Sequence, residues 1–382
     1  LNALAGNLGR KAGVQFIPHG STDDPPIPWL TERTVIELVR QQETKEPAAL
    51  LLYDCNPLFT MPPSVPIKRF FDQAPFFASF SSFLDESTEW ADIVLPDRAV
   101  LESWGDHVAE TNDPTIGLSQ PVVMPLYTGT SQVGDTFLDL GRRLGIKTMH
   151  QSTFYDLLQD RWRIFLDKKP HEAAPDWFDK TWVTHLQQGG WWQEPNHIPY
   201  PLSFNPSHHY EPAILAGDER EFPFILYPYP SMTIGHGEGA NRPWLQELPD
   251  TMTSVVWGSW VELNPKTAQE LGIHQGDLVL VTSLVGSLEA PAVLYPGIRP
   301  DVVAIPLGQG HSSYGRYARG RGVNPLTLLS PLLDTVSGTI ASGATRVRIE
   351  RTGAKGRLVT LEQPAMEQSD LITIERRGRR EG

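Results

Sequence analysis

The spacing of apolar residues changes character along the chain. Residues 32–55 read ERTVIELVRQ and then KEPAALLLYDCNPLF, which predicts a helix, a breaker and a buried strand ending at Asn56-Pro57. The run FFASFSSFLDESTEWADIVLPDRAVLES predicts a strand from about Pro75 to Ser81, a short helix through Glu86 to Ala91, and a strand from Ile93 to Leu95 closed by Pro96. Strand, loop, helix and strand in this order imply an α/β unit with a parallel sheet, whose strand ends are natural ligand sites. Helical spacing returns in VGDTFLDLGRRLG, TFYDLLQDRWRIFL and DWFDKTWVTHLQQ, before glycines and tryptophans break it. Residues 190–220 carry little periodicity and much Pro, Asn, Ser and His, as expected of a crossover. From Phe222 the texture becomes short β-prone runs, FPFILYPY, SVVWGSWVEL, DLVLVTSL, LEAPAVLYP, DVVAIPLG and TRVRIE, and these predict a β barrel.

Composition narrows the partners. The 382 residues hold 32 basic and 45 acidic side chains, a net charge of −13, which argues against a general nucleic-acid binder. A single cysteine, Cys55, excludes an internal disulfide and an iron–sulfur centre held by four cysteines of this chain. Beside a buried strand Cys55 reads as a small apolar filler. The first residues, LNALAGNLGRKAGV, show neither a signal peptide nor a spanning helix and read as the interior of a larger domain. The expectation is a piece of a longer protein.

Four polar constellations stand out. Asn56, at the end of the LLLY strand, can meet a ligand base or phosphate, or bond its own turn. Ser81, Ser82, Asp85, Glu86 and Asp92, with Glu102, Asp106 and His107 beyond, can line the same crevice or serve as helix caps and solvated groups. None has metal-ligand spacing. HGEGANRPW, residues 236–244, combines glycines with His236, Asn241 and Arg242; it reads as an anion-binding turn or an ordinary surface turn. GQGHSSYGRYARGRGVNP, residues 308–325, places His311, Asn324, three arginines and two tyrosines among glycines, a composition able to wrap an anionic, ring-containing ligand or to grip another subunit. No Ser or Cys and Asp arrangement supports His311 as a general base. The chain contains no GxxxxGK[ST] and no strong GxGxxG after a strand.

Taken together, LLYDCNPLF, SSFLDESTEWADIVLPDRAVLESWGD, ELNPKTAQELGIHQGDLVLVTS and VNPL resemble the C-terminal half of the large subunit of the DMSO-reductase family of molybdopterin oxidoreductases. The branch that looks nearest contains polysulfide and thiosulfate reductases and the iron–sulfur subunit of alternative complex III. The resemblance implies an α/β class: a parallel-sheet, dinucleotide-binding-like domain over 1–190, an irregular crossover over 191–220, a double-psi-like β barrel over 221–360 and a C-terminal extension over 361–382. It further implies that Asn56, Ser81, Asp85, Glu86 and Asp92 in the first part, and His236, Asn241, Arg242, His311 and Asn324 in the second, contact bis-molybdopterin guanine dinucleotide.

Iron–sulfur clusters would lie in missing regions or partner subunits. Implied partners are an iron–sulfur subunit or domain, a quinone-interacting membrane subunit and a cytochrome subunit, with the chain held through them at the periplasmic face or, as the alternative, the cytoplasmic face. Three features depart from the family: the cluster-binding cysteine motif and the segment supplying a protein ligand to molybdenum are both absent, and DHVAETNDPTIGLSQP replaces a glycine-arginine ending. Two functions therefore stand: part of a quinone-linked molybdopterin oxidoreductase, or a cofactor-free homologue that scaffolds iron–sulfur and haem subunits.

Overall fold

A computed structural model describes residues 2, 4–8, 13–14, 31–41, 49–108, 115–167, 176–192 and 213–361. The chain divides into two compact units, Leu1–Trp29 with Leu95–Tyr210, and Leu30–Val94 with Glu211–Gly382. These bounds do not follow the expected succession of a domain over 1–190 and another over 221–360. The predicted extension after 361 and most of the predicted crossover lie outside the described residues.

In the second unit, α1 (Glu32–Gln41) turns Ile36 and Val39 inward. Strands β1 (Leu50–Tyr53), β2 (Phe77–Phe80) and β3 (Ile93–Val94) form a parallel sheet, with Leu50 opposite Phe77 and Ala78 opposite Ile93. All four residues of β2 are buried, as a central parallel strand requires. Between β1 and β2 run α2 (Pro57–Thr60), with proline at its first turn, and α3 (Ile67–Asp72). Ile36, Val39, Leu52, Val65, Phe70, Phe71 and Phe77 make the local core.

The first unit carries β4 (Gly105–Val108), β5 (Ile116–Ser119) and β6 (Gly190–Trp191), an antiparallel sheet rather than a continuation of the parallel one. Helices α4 (Val133–Arg143), α5 (Phe154–Asp167) and α6 (Trp177–Gln188) realise the three predicted periodic segments. Leu118, Trp162, Leu166, Phe178 and Trp182 pack together as its core.

The rest of the second unit holds β7 (Phe224–Tyr229), α7 (Pro243–Glu247), β8 (Val261–Leu263), α8 (Pro265–Leu271), β9 (Asp277–Thr282), β10 (Ser287–Leu294), β11 (Val302–Pro306), α9 (Gly315–Ala318) and β12 (Arg346–Lys355). Local chemistry sets several boundaries. The side chain of Asn264 accepts from the Lys266 N–H to cap α8, Pro265 fills its first position, and Gly272 ends it at φ 64°.

The six strands hydrogen-bond in the closed order β10–β8–β11–β7–β12–β9. The pairing is mixed: β7–β11 and β8–β10 run parallel, whereas β9–β10, β9–β12, β8–β11 and β7–β12 run antiparallel. Two joints are thin. β11 meets β8 through the pair Ala304–Glu262, and β12 meets β7 through Arg346–Ile225 and Val347–Phe224. This corrects the fold expected from sequence: in place of a separate double-psi-like β barrel, the strands form a mixed six-stranded sheet, closed only through these thin joints, that shares its unit with the parallel sheet. The physical reason is visible in the strands. β8 is only three residues long, and Pro228, Pro291 and Pro306 remove ladder donors from β7, β10 and β11. Leu226, Val261, Leu263, Val279, Val281, Val303 and Ile305 fill its interior.

Candidate functional site

The glycine-rich loop at 308–325 folds back on itself and onto the turns that follow β1 and β2, all within the second unit. Gly310 N–H donates to the Arg321 carbonyl (2.7 Å) and Gly320 N–H to that of His311 (2.8 Å), which pinches the loop into a clasp. At Gly310 (φ 95°) a Cβ would sit 2.2 Å from the Asn324 nitrogen, so the close approach needs glycine.

Glu86 lies at the centre of this clasp. Its Oε1 accepts from the backbone N–H of Ser312 (2.7 Å) and Ser313 (3.0 Å), and its Oε2 from Asn56 Nδ2 (2.7 Å). His311 Nδ1 lies 3.2 Å from both carboxylate oxygens, so Nδ1 carries the proton in the tautomer that satisfies them. Burial pushes the Glu86 carboxyl up, but the hydrogen bonds from His311, the Ser313 N–H and Asn56 outweigh it and hold the pKa at about 2. The His311 ring is buried and stacks on Phe59, with centroids 3.6 Å apart and planes at 10°. Its Nε2 has no hydrogen-bond partner among the described residues. On one side that atom abuts Gly237, where a Cβ would be 2.8 Å away.

Further contacts lock the loop. Tyr314, held at φ 70°, donates its N–H to the Leu84 carbonyl and its hydroxyl to that of Glu238, and meets Phe83 edge-on at 5.5 Å. Asn324 caps a short 3-10 turn through the Leu326 N–H (3.0 Å) and donates Nδ2 to the Phe59 carbonyl (2.8 Å).

Among the ten residues named from sequence, Asn56, Glu86, His311 and Asn324 converge here with Asp85 alongside. Asn56 Oδ1 also accepts from the hydroxyl (2.7 Å) and N–H (3.2 Å) of Ser87. Asp85 is buried and its Oδ1 accepts the N–H groups of Ser87 and Thr88; burial pushes its pKa up against those bonds. Asn241 Oδ1 accepts from the Tyr317 N–H, outside the Glu86 cluster. Arg242 is exposed at the start of α7, and its charge partly offsets the rise that burial gives the Tyr314 phenol. His236 is exposed, and its N–H donates to Glu238. Ser81 exchanges hydrogen bonds with Phe83 in its own turn. Asp92 is an exposed acceptor for the Phe77 N–H at the sheet edge. Glu102, Asp106 and His107 belong to the first unit, where Glu102 accepts from Ala99 and Leu126 N–H groups and Asp106 pairs with Arg161. Cys55 is exposed rather than a core filler. Sequence reasoning passed over Phe59 and Ser87, and took in Tyr314 and Gly237 only as members of their glycine-containing segments. Phe59 has the pattern of an ordinary helix hydrophobe, and only the Ser-Asp capping composition around 85–88 pointed toward Ser87.

Residues 235–346 match the family profile described as Molydopterin dinucleotide binding domain. The chain carries a molybdopterin-binding domain homologous to large subunits of the DMSO-reductase family. It is 27% identical over 353 residues to the menaquinone reductase, molybdopterin-binding-like subunit, of Nitratidesulfovibrio vulgaris, covering 88% of this chain and 48% of that protein. It is 39% identical over 158 residues to the arsenate respiratory reductase molybdopterin-containing subunit of Shewanella, covering 39% and 18%. The fold is shared with acetylene hydratase from Pelobacter acetylenicus: TM-score 0.61 at 17% identity, over 84% of this chain and 46% of that one. The chain thus spans less than half the length of these relatives.

The residues themselves decide how well a pterin dinucleotide fits. Asn56, Asp85, Glu86, His311 Nδ1 and Asn324 already bond one another or nearby backbone, and Asn241 bonds Tyr317. These groups do not fit the role of ligand contacts in the arrangement observed. Among the described residues no group of three or more His, Cys, Asp or Glu is placed to hold a metal ion, and no helix is long and apolar enough to cross a membrane.

Proposed function

We propose that this chain is a structural, cofactor-free part of the large subunit of a quinone-linked respiratory oxidoreductase complex. Its domain kinship is with respiratory molybdoenzyme subunits and implies an electron-transfer setting. The observation that carries the structural reading is the internal commitment of the clasp: a half-buried carboxylate takes two backbone N–H groups, a histidine and an asparagine that would otherwise be open to a ligand. The likeness over 353 residues to the menaquinone reductase, molybdopterin-binding-like subunit, supports the same choice and the quinone linkage. In this reading the chain holds iron–sulfur and cytochrome partners beside a membrane quinone subunit, at the periplasmic face, and electrons pass through those partners.

A second reading, a pterin-loaded catalytic subunit, is favoured by the 39% identity to an arsenate respiratory reductase subunit. Pterin and molybdenum analysis of the native complex, purified under cofactor-preserving conditions, separates the two. The structural reading expects neither pterin nor molybdenum in stoichiometric amount, with iron and haem in co-purifying subunits. A full complement of pterin dinucleotide overturns it in favour of the second.

A further inference from the structure

We propose that Glu86 is the resident anion of a preformed oxyanion cradle, and that the cradle takes a small carboxylate or phosphate once this side chain is removed. The proposal goes beyond the cofactor-free reading, because it concerns what the clasp binds rather than what the complex does. Four donors from two remote segments aim at one carboxylate: Asn56 Nδ2, His311 Nδ1 and the successive N–H groups of Ser312 and Ser313, all within 3.2 Å. Consecutive backbone N–H groups directed at one oxygen are the geometry of an anion nest. Nothing within the nest obliges its anion to be Glu86, since the donors are held independently. The His311 ring is fixed by its stack on Phe59, the 308–325 loop by its own backbone bonds and by Tyr314, and Asn56 by Ser87.

Stripped of Glu86, these donors would lose their common acceptor, and for the buried His311 and Ser313 that state costs free energy until another acceptor enters. Glu86→Ala removes the four heavy atoms of an acetate ion, so acetate matches the space, while phosphate matches the charge and tests tolerance of a larger anion. The native carboxylate, with its side chain only 11% exposed, keeps competing anions out.

The test uses the full chain and three solutes: acetate, inorganic phosphate and the uncharged acetamide. The native protein is expected to show no anion-dependent change in melting temperature beyond that of chloride at equal ionic strength. Glu86→Ala should melt about 5–10 °C lower in chloride, and saturating acetate or phosphate should restore at least half of that loss while acetamide restores none. A folded Glu86→Ala protein indifferent to both anions, or a native protein that answers them as strongly as the variant, overturns the proposal. Should Glu86→Ala fail to fold, amide exchange on the native chain decides: the Ser312 and Ser313 amides must be protected at neutral pH and lose protection as Glu86 is protonated. Free exchange at neutral pH, or protection unchanged below the Glu86 pKa, rejects the cradle. None of these readouts depends on whether the native complex holds pterin, so this proposal and the functional reading fail separately.

Discussion

Gly237→Ala is the sharpest single test of the stacked ring at the clasp. Gly237 has φ 126°, a conformation that L side chains rarely adopt, and a Cβ there would lie 2.6 Å from Phe59 Cε1 and 2.8 Å from His311 Nε2. The backbone strain costs about 1–3 kcal/mol. Pushing two buried rings apart adds about 1–3 kcal/mol, because neither ring has slack: they touch face to face at 3.6 Å. A combined loss of roughly 2–6 kcal/mol is a large share of the 5–15 kcal/mol typical of folded domains. Urea unfolding, followed by amide exchange at His311 to Tyr314 so that the second unit is read selectively, measures it. A companion Phe59→Leu substitution yields the ring volume, and the double variant should recover at least about 1 kcal/mol relative to additivity. A Gly237→Ala protein within about 1 kcal/mol of the parent, or strict additivity with Phe59→Leu, would refute the reasoning.

Other outcomes follow from the same contacts. The Glu86 pKa is depressed from 4.5 to about 2, so its contribution is fully present above pH 4.5 and is lost as pH falls through 2; it amounts to about 2–3 kcal/mol, and Glu86→Gln should flatten the acid limb of the second unit's stability profile. The groups facing this carboxylate are His311, Asn56, the Ser312 and Ser313 N–H groups and, on its own segment, Asp85. Asn324→Ala removes a cap and the bond to the Phe59 carbonyl and should cost about 1–3 kcal/mol by urea unfolding, whereas exposed Arg242→Ala should stay within about 0.5 kcal/mol. Leu226→Ala, in the fully buried interior of the mixed sheet, should lose about 2–5 kcal/mol in the same assay.

Local pattern carried most of the elements and little of their assembly. The periodic stretches around Ile36, Leu138 and Trp162 became helices because their apolar residues fall on one face. The β-prone run DLVLVT became β9, with Val279 and Val281 buried and Leu278 and Leu280 half-buried on the other face. Unit bounds escaped because β1 to β3 bury their hydrophobes with α1 to α3, and no composition shift marks that this layer belongs with residues after 211. The six short strands read as a barrel, but strand count does not reveal that two seams amount to one and two residue pairs. At the clasp, the polar residues were legible and their partners were not. Glu86 and His311 are 225 positions apart, and an acidic residue aimed at a ligand has the same one-letter code as one aimed at its own chain.

The discontinuity of the second unit also sets how the protein can be cut and lengthened. A fragment begun at residue 211 would carry His311 without the Phe59 face it stacks on, and Ser312 and Ser313 amides without Glu86. Independent expression therefore calls for residues 30–94 together with 211–361, rather than for a simple C-terminal fragment. By the same topology, residues 95–210 form a parenthesis in the chain. Since doubling the length of a flexible connection costs only about 0.6 kcal/mol in closure entropy, that parenthesis is where this chain can change in length at least cost to its clasp.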